Sequence, residues 1–191
     1  MAATQPIRNK KEIRALTGYY RKRGQIRNHV LIVLALHSAL RIGDLLRLRW
    51  EDVYDFERQC VKSCLDLVEQ KTGKSKVIAL HPNVAGALTL YALSNAIEGN
   101  FLILNPRTGR AISRIQAYRI IRAASEALAL IGRVSCHSLR KTFGYHAWKS
   151  GVDLVLIMEI YNHSSLAMTR RYLGITQDDQ NTVYLGLALT A

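Results

Sequence analysis

Between His29 and Leu40 the chain runs through Val30, Leu31, Ile32, Val33, Leu34, Ala35 and Leu36 without one charged side chain, interrupted only by His37 and Ser38. A helix made of such residues is apolar on every side, so it must lie inside a core with other elements packed around it. It is too short to cross a bilayer, which takes about 20 apolar residues. The chain is therefore expected to fold around this segment as a water-soluble domain. With 191 residues, 49% of them hydrophobic, it can bury a sizeable core as one large domain or two small ones.

The rest of the pattern is mainly helical. Asn9 with Glu12 makes a capping box for a helix to about Lys22, and Ile42 to Leu48 reads as a short helix with Leu45, Leu46 and Leu48 available to the core. Residues 60–70 and 75–80 alternate imperfectly and flank the turn Lys71-Thr72-Gly73-Lys74, which predicts a two-stranded hairpin. Pro82 and Asn83 open a helix to about Ala96, Phe101 to Leu104 is a short strand, and Ser113 with Gln116 caps a long helix to about Leu130. Three more helices are expected: His137 to Ser150, closed by Gly151; Asp153 to Ile160; and Ser164 or Ser165 to Leu173. Thr176 with Asp179 begins a tail helix with an apolar stripe at Val183, Tyr184, Leu187 and Ala188. The expected fold class is mainly α with one small β-sheet (α+β). The expected organisation is a basic segment over 1–27, a domain over 28–175 and a tail over 176–191.

Charge narrows the function. The 27 Lys and Arg residues against 14 Asp and Glu give a net charge of +13. A surplus of that size must face water, where it attracts polyanions, with nucleic acid first and an anionic membrane surface second. Residues 1–27 alone hold eight basic residues, among them Lys10, Lys11, Arg21, Lys22 and Arg23, against the single acid Glu12. A second stretch contains Arg107, Arg110, Arg114, Arg119 and Arg122 without an acid. Each stretch reads either as a DNA-facing surface or as an ordinary solvated one. The N-terminus lacks the apolar core of a signal peptide, and three cysteines form no framework, so a reducing cytoplasmic setting is expected. Phosphate loops of nucleotide-binding spacing are absent, and Cys60 and Cys64, four apart on one strand face, have no second ligand pair for zinc. No cofactor and no metal are expected, so any chemistry must come from ordinary side chains.

Those side chains concentrate in a few segments. In Cys136-His137-Ser138-Leu139-Arg140-Lys141-Thr142-Phe143, His137 and Arg140 share a helix face, and an imidazole beside a guanidinium fork suits a phosphate. His163 precedes a helix whose far end carries Tyr172. Taken singly, these read equally as a loop histidine and a core tyrosine. Arg41 lies between two apolar helices, with Asp44 three residues on as its expected partner, and its remaining donors are then free for a ligand.

Together these segments resemble the tyrosine recombinases, the phage-integrase family, from about Arg14 to Ile175. The resemblance implies a catalytic domain of the kind shared with type IB topoisomerases, with Arg41, Lys71, His137, Arg140, His163 and the nucleophile Tyr172 as catalytic residues and Asp44 as a supporting acid. Lys71 matches the family's hairpin lysine by register, ahead of Lys74 and Lys76. The implied partner is double-stranded DNA, held by phosphate contacts from Lys10, Lys11, Arg21, Lys22, Arg23, Arg114 and Arg119. A homotetramer on two DNA sites and accessory DNA-bending proteins are implied as well, with no role for a membrane. Two departures stand out: Tyr161-Asn162 replaces the family's Leu-Gly, with Asn best able to keep a left-handed turn, and Lys141 replaces a frequent histidine. The competing readings are a type IB topoisomerase, which relaxes supercoils without pairing two sites, and a DNA-binding regulator whose active site has been retired.

Overall fold

A computed structural model describes residues 4–94 and 101–186. The chain begins with α1 (Lys10–Arg21), where the Asn9 side chain caps the helix by accepting from the Lys11 amide at 2.8 Å. Gly24, at φ +67°, turns the chain into α2 (Ile26–His37), the apolar helix on which the rest is built. Val30, Leu31, Ile32 and Leu34 are wholly buried, and α1, α5, α6 and α7 all pack against this helix. Burying each such side chain contributes about 1.5–3 kcal/mol, which is why the apolar run settles at the centre.

The chain then tightens into α3 (Ile42–Leu45) and α4 (Trp50–Val53). The expected helix over Ile42–Leu48 is thus a single turn, because Leu48 and Arg49 extend to meet residues 101–102. The sheet differs from expectation in number. Among the described residues there are three two-stranded antiparallel hairpins: β1 (Tyr54–Asp55) with β2 (Cys60–Val61), β3 (Cys64–Val68) with β4 (Ser75–Ala79), and β5 (Leu104–Asn105) with β6 (Arg110–Ala111). Cys60 and Cys64 therefore belong to different strands, not to one face of a single strand. Phe101, expected to open a strand, makes only an isolated bridge to Arg49, and the strand begins at Leu104.

Between these hairpins lies α5 (Pro82–Ser94), whose expected end at Ala96 falls outside the described residues. After β6 come α6 (Arg114–Ala127), capped reciprocally by Ser113 and Gln116, and α7 (Cys136–Lys149). They are followed by α8 (Leu154–Tyr161), α9 (Leu166–Leu173) and α10 (Gln177–Gly186). A large core gathers around α2 and includes Ile7, Leu16 and Tyr20 from the N-terminal part of the chain. A smaller one joins Ala39, Ile157, Tyr161 and Leu173, with Phe143 and Tyr172 packed on it. Gly144 is required where the two meet, because a methyl group there would run into the Tyr161 hydroxyl and the Leu173 side chain. No described helix is long and apolar enough to cross a membrane.

Candidate active site

The candidate site residues collect at the seam between the two cores. Arg41 stands at the break between α2 and α3, in extended backbone at φ −68° and ψ 144°, which aims its side chain across to α8. Its Nη2 donates to the Tyr161 carbonyl at 3.3 Å. From α7, Arg140 donates through Nη2 to the same carbonyl at 3.1 Å and through Nη1 to the carbonyl of Ala39. One peptide oxygen thus brings two guanidinium groups together. Arg140 is only 3% exposed, so its charge acts in a medium that screens it little.

Tyr161 makes this geometry possible. It is fully buried, donates from its hydroxyl to the Arg140 carbonyl at 2.6 Å, and accepts from the Gly144 amide at 2.8 Å. It therefore fixes both the backbone of Arg140 and the carbonyl to which the two arginines bond. Asn162 follows at φ 51°, a left-handed cap that ends α8 and turns the chain toward His163. The expected retention of this turn by asparagine is what the backbone shows.

His163 bonds through Nδ1 to the Thr169 hydroxyl at 3.1 Å, and its ring meets that of Tyr172 edge-on with centroids 5.1 Å apart. Burial, then the charges of Arg140, Arg41 and Lys71, hold the His163 ring down to a pKa of about 4, so it is neutral at physiological pH. His137 occupies the exposed first turn of α7. Burial of its ring and the nearby charges of Arg140, Lys141 and Arg41 likewise lower its pKa and keep it a free base. Tyr172 lies half-buried on α9, and Lys141 from α7 sits 5.2 Å from its ring centroid. Burial raises the Tyr172 phenol above its ordinary value, while Arg140 and Arg41 pull it back down.

One expected pairing is corrected. Asp44 does not partner Arg41. It is buried, and its Oδ1 accepts from the Gln70 amide at 2.9 Å, which ties α3 to the end of the hairpin. The partner of Arg41 is Glu69, 2.8 Å away and fully buried. Asp44 is one helical turn from Arg41 on the same short element, whereas β3 carries Glu69 across to the guanidinium. Glu69 was legible in principle: Leu65, Leu67 and Glu69 share one parity of the strand, and a carboxylate on the core side needs a cation. Lys76, paired across from Leu67, points to the same side. Its Nζ donates to the Ile160 carbonyl at 2.6 Å and lies 4.0 Å from Glu69. Burial lowers its pKa, with Glu69 opposing and Arg140 adding to the fall. Lys71, in the exposed turn between β3 and β4, is near enough to His163 to affect its protonation.

The basic residues expected on a DNA surface are exposed: Lys10 and Lys11 at the start of α1, Arg21, Lys22 and Arg23 at its end, and Arg114 and Arg119 on α6. Arg114 packs its guanidinium against Gly43, where a side chain would collide with it. Arg122 instead pairs with Glu126 at 2.6 Å. Among the described residues no group of His, Cys, Asp and Glu side chains could hold a metal ion.

A helical domain that gathers two arginines, two histidines and a tyrosine close together has the form of a tyrosine recombinase. The phage integrase family matches this chain over residues 8–178, and the chain belongs to that family. It is 36% identical over 184 residues to the probable integrase/recombinase YoeC of Bacillus subtilis, covering 96% of this chain and 97% of that protein. It is 26% identical over 171 residues to the tyrosine recombinase XerD of Mycobacterium leprae, covering 84% of this chain. The chain spans about half the length of that relative, 52%. In fold it resembles the crystal structure of XerA recombinase, with a TM-score of 0.76 at 20% identity over 97% of this chain and 65% of that one. It also resembles XerH site-specific recombinase bound to a palindromic difH substrate, with a TM-score of 0.74 at 18% identity over 96% and 54% of the two chains.

Proposed function

We propose that this chain cleaves and rejoins duplex DNA at specific sites through a covalent bond between Tyr172 and a 3′ phosphate. The observation that carries the reading is the convergence of Arg41 and Arg140 on the Tyr161 carbonyl beside Tyr172. A phosphodiester is an anion, and its pentavalent transition state carries more negative charge at the non-bridging oxygens. Two guanidinium groups fixed before the substrate arrives stabilise that charge without reorganising during the reaction.

Each remaining group has a step. The Tyr172 oxygen attacks phosphorus while His137 takes its proton, a role suited to a ring kept neutral. The bond to the 5′ oxygen breaks, and its electron pair leaves on that oxygen, which Lys71 protonates. His163, held through Nδ1 by Thr169, donates from Nε2 to the phosphate once the Thr169 hydroxyl turns its proton from the Ser165 carbonyl to Nδ1. The products are a 3′-phosphotyrosine ester and a free 5′ hydroxyl. Attack by a 5′ hydroxyl on the ester reverses the step, so the bond energy is retained and no ATP is consumed.

DNA binding would draw on Lys10, Lys11, Arg21, Lys22, Arg23, Arg114 and Arg119, with phosphate contacts dominating. Four copies would assemble on two DNA sites, each tail helix docked on a neighbour, with DNA-bending proteins as further partners. The support is that Tyr184 and Leu185 on α10 are 79% and 88% exposed. Cytoplasmic action on the nucleoid is consistent with the unpaired cysteines Cys60, Cys64 and Cys136.

The test is incubation with a pool of nicked duplexes of random sequence, in which loss of the short strand traps the cleaved state. A covalent protein–DNA adduct is expected, and sequencing the trapped DNA reveals the site. Absence of any adduct would leave a binding protein without the chemistry. Adducts from unrelated sequences, without strand exchange between two copies of a site, would indicate a topoisomerase.

A further inference from the structure

The proposed chemistry uses Arg41, Lys71, His163 and Tyr172, yet the most heavily bonded charge at the site is a carboxylate that takes no step in it. Glu69 is fully buried. Its Oε2 accepts three hydrogen bonds: from Arg41 Nη1 at 2.8 Å, from Asn162 Nδ2 at 2.8 Å and from the Thr72 hydroxyl at 2.9 Å. Oε1 accepts no hydrogen bond, and Lys76 Nζ stands 4.0 Å from it. These bonds join separate parts of the fold. Arg41 follows α2, Thr72 is the neighbour of Lys71 in the hairpin turn, and Asn162 is the left-handed cap immediately before His163.

We propose that Glu69 is a positioning residue, whose carboxylate holds Arg41, the turn bearing Lys71 and the turn bearing His163 in one mutual arrangement. The inference rests on the reading of Arg41 as a phosphate-binding arginine. An unrestrained arginine side chain has several rotatable bonds whose freedom is lost when it grips a ligand. Glu69 and the Tyr161 carbonyl remove that freedom in advance, each taking one N–H and leaving the other donors of the fork for a phosphate. The carboxylate also offsets repulsion among Arg41, Arg140 and Lys76. Burial alone would raise its pKa, but the bonds from Asn162, Arg41 and Thr72 outweigh that and keep it ionised. Asn162 gains a second purpose: where glycine would supply only the left-handed turn, asparagine supplies the turn and a donor to Glu69.

The test uses Glu69→Gln, with Asn162→Gly and Thr72→Val as milder variants that each remove one arm. In protein labelled with 15N-arginine, the Arg41 guanidinium signal, assigned with Arg41→Lys, should show slow rotation in the native chain. It should show fast rotation in Glu69→Gln, with the amide spectrum and the melting temperature of Asn162→Gly and Thr72→Val close to native. On the nicked duplex recovered above, Glu69→Gln should slow adduct formation roughly ten- to a hundredfold, as expected when a reacting group is displaced by about an ångström. On the same duplex with a neutral methylphosphonate at the scissile position, where less charge needs a guanidinium, the deficit should shrink severalfold. A general loss of structure would slow both substrates alike. Native-like guanidinium rotation in Glu69→Gln, or adduct formation at or above the native rate in a folded variant, would overturn the proposal. If the native chain forms no adduct, the reading of the site fails, while the guanidinium signal still decides whether Glu69 holds Arg41.

Discussion

On the proposed reading of the site, one oxygen atom of Tyr172 makes the difference between a cutting enzyme and a binding protein. Tyr172→Phe removes that oxygen and leaves the ring packed against Tyr161 and His163. Adduct formation should vanish while DNA affinity in a gel-shift stays within about twofold; an adduct that persists would move the nucleophile elsewhere. Lys71 and Lys76 are separable by leaving group. Lys71→Ala should cleave ordinary DNA at least about a hundredfold more slowly, the usual weight of a general acid. It should recover on DNA whose scissile 5′ bridging oxygen is sulfur, which departs without a proton. Equal defects on both substrates would transfer the role, with Lys76, already inside the site, examined next. His163 carries a pH prediction. Folded, it titrates near 4 rather than 6.5. The unfolded chain therefore binds more protons between those values, and stability, complete above about pH 6.5, falls as pH drops toward 4. After discounting for the ring's partial exposure, this amounts to about 1 kcal/mol. His163→Gln should flatten that part of a stability–pH curve measured by urea unfolding. His29, His37 and His137, lowered in the same direction, would leave a residual slope.

Helices and hairpins differ in how firmly they are anchored, and the contrast bears on assembly. The segment before α1 is pinned at several points: the Ile7 amide donates to the Thr142 hydroxyl at 2.8 Å, Lys141 donates to the Thr4 carbonyl at 2.7 Å, and Arg8 donates to the Gly174 carbonyl at 2.8 Å. It braces α7 and the end of α9, on either side of Tyr172. The tail is held differently. Asp179 caps α10 through the Thr176 amide at 2.9 Å and pairs with Lys149 of α7 at 2.8 Å. Of the expected apolar stripe, Tyr184 is exposed, and Leu187 and Ala188 lie outside the described residues. Deleting the chain from Thr176 onward should leave a folded monomer with a melting temperature within a few degrees of native. It should still bind DNA and lose exchange between two sites. A truncated chain that no longer melts cooperatively would show instead that α10 belongs to its own core.

The whole molecule presents a charge of +13 to its surroundings. If that surplus is read by DNA phosphates, log affinity should fall linearly with log salt, with a slope of about −0.9 for each phosphate neutralised. Double substitution of Arg114 and Arg119 to Gln should reduce the slope by about 2 and weaken binding to every sequence by a similar factor. A slope unchanged by the double substitution would place the DNA on another face, with Lys10, Lys11 and Arg21 of α1 and Lys22 and Arg23 just after it next in line.

Local patterns are legible in the sequence because their causes are local. The α2 run announces a central helix because no other placement hides that much apolar surface. Asn9, Ser113 and Ser165 mark helix starts because a cap needs only its own next few amides. Asn162 could stand for glycine because a left-handed turn is a property of one residue. The order of Arg41, Lys71, His137, Arg140, His163 and Tyr172 was likewise visible along the chain. Partnership was not. Asp44 is the acid close to Arg41 in sequence, yet the guanidinium bonds Glu69, 28 positions away, since a folded hairpin delivers a buried carboxylate that one turn of helix does not. The same holds for the Tyr161 carbonyl, which joins Arg41 from 120 residues upstream with Arg140 from 21. Hydrogen bonds made over such separations depend on how two cores meet, and that meeting exists only after the chain has closed on itself.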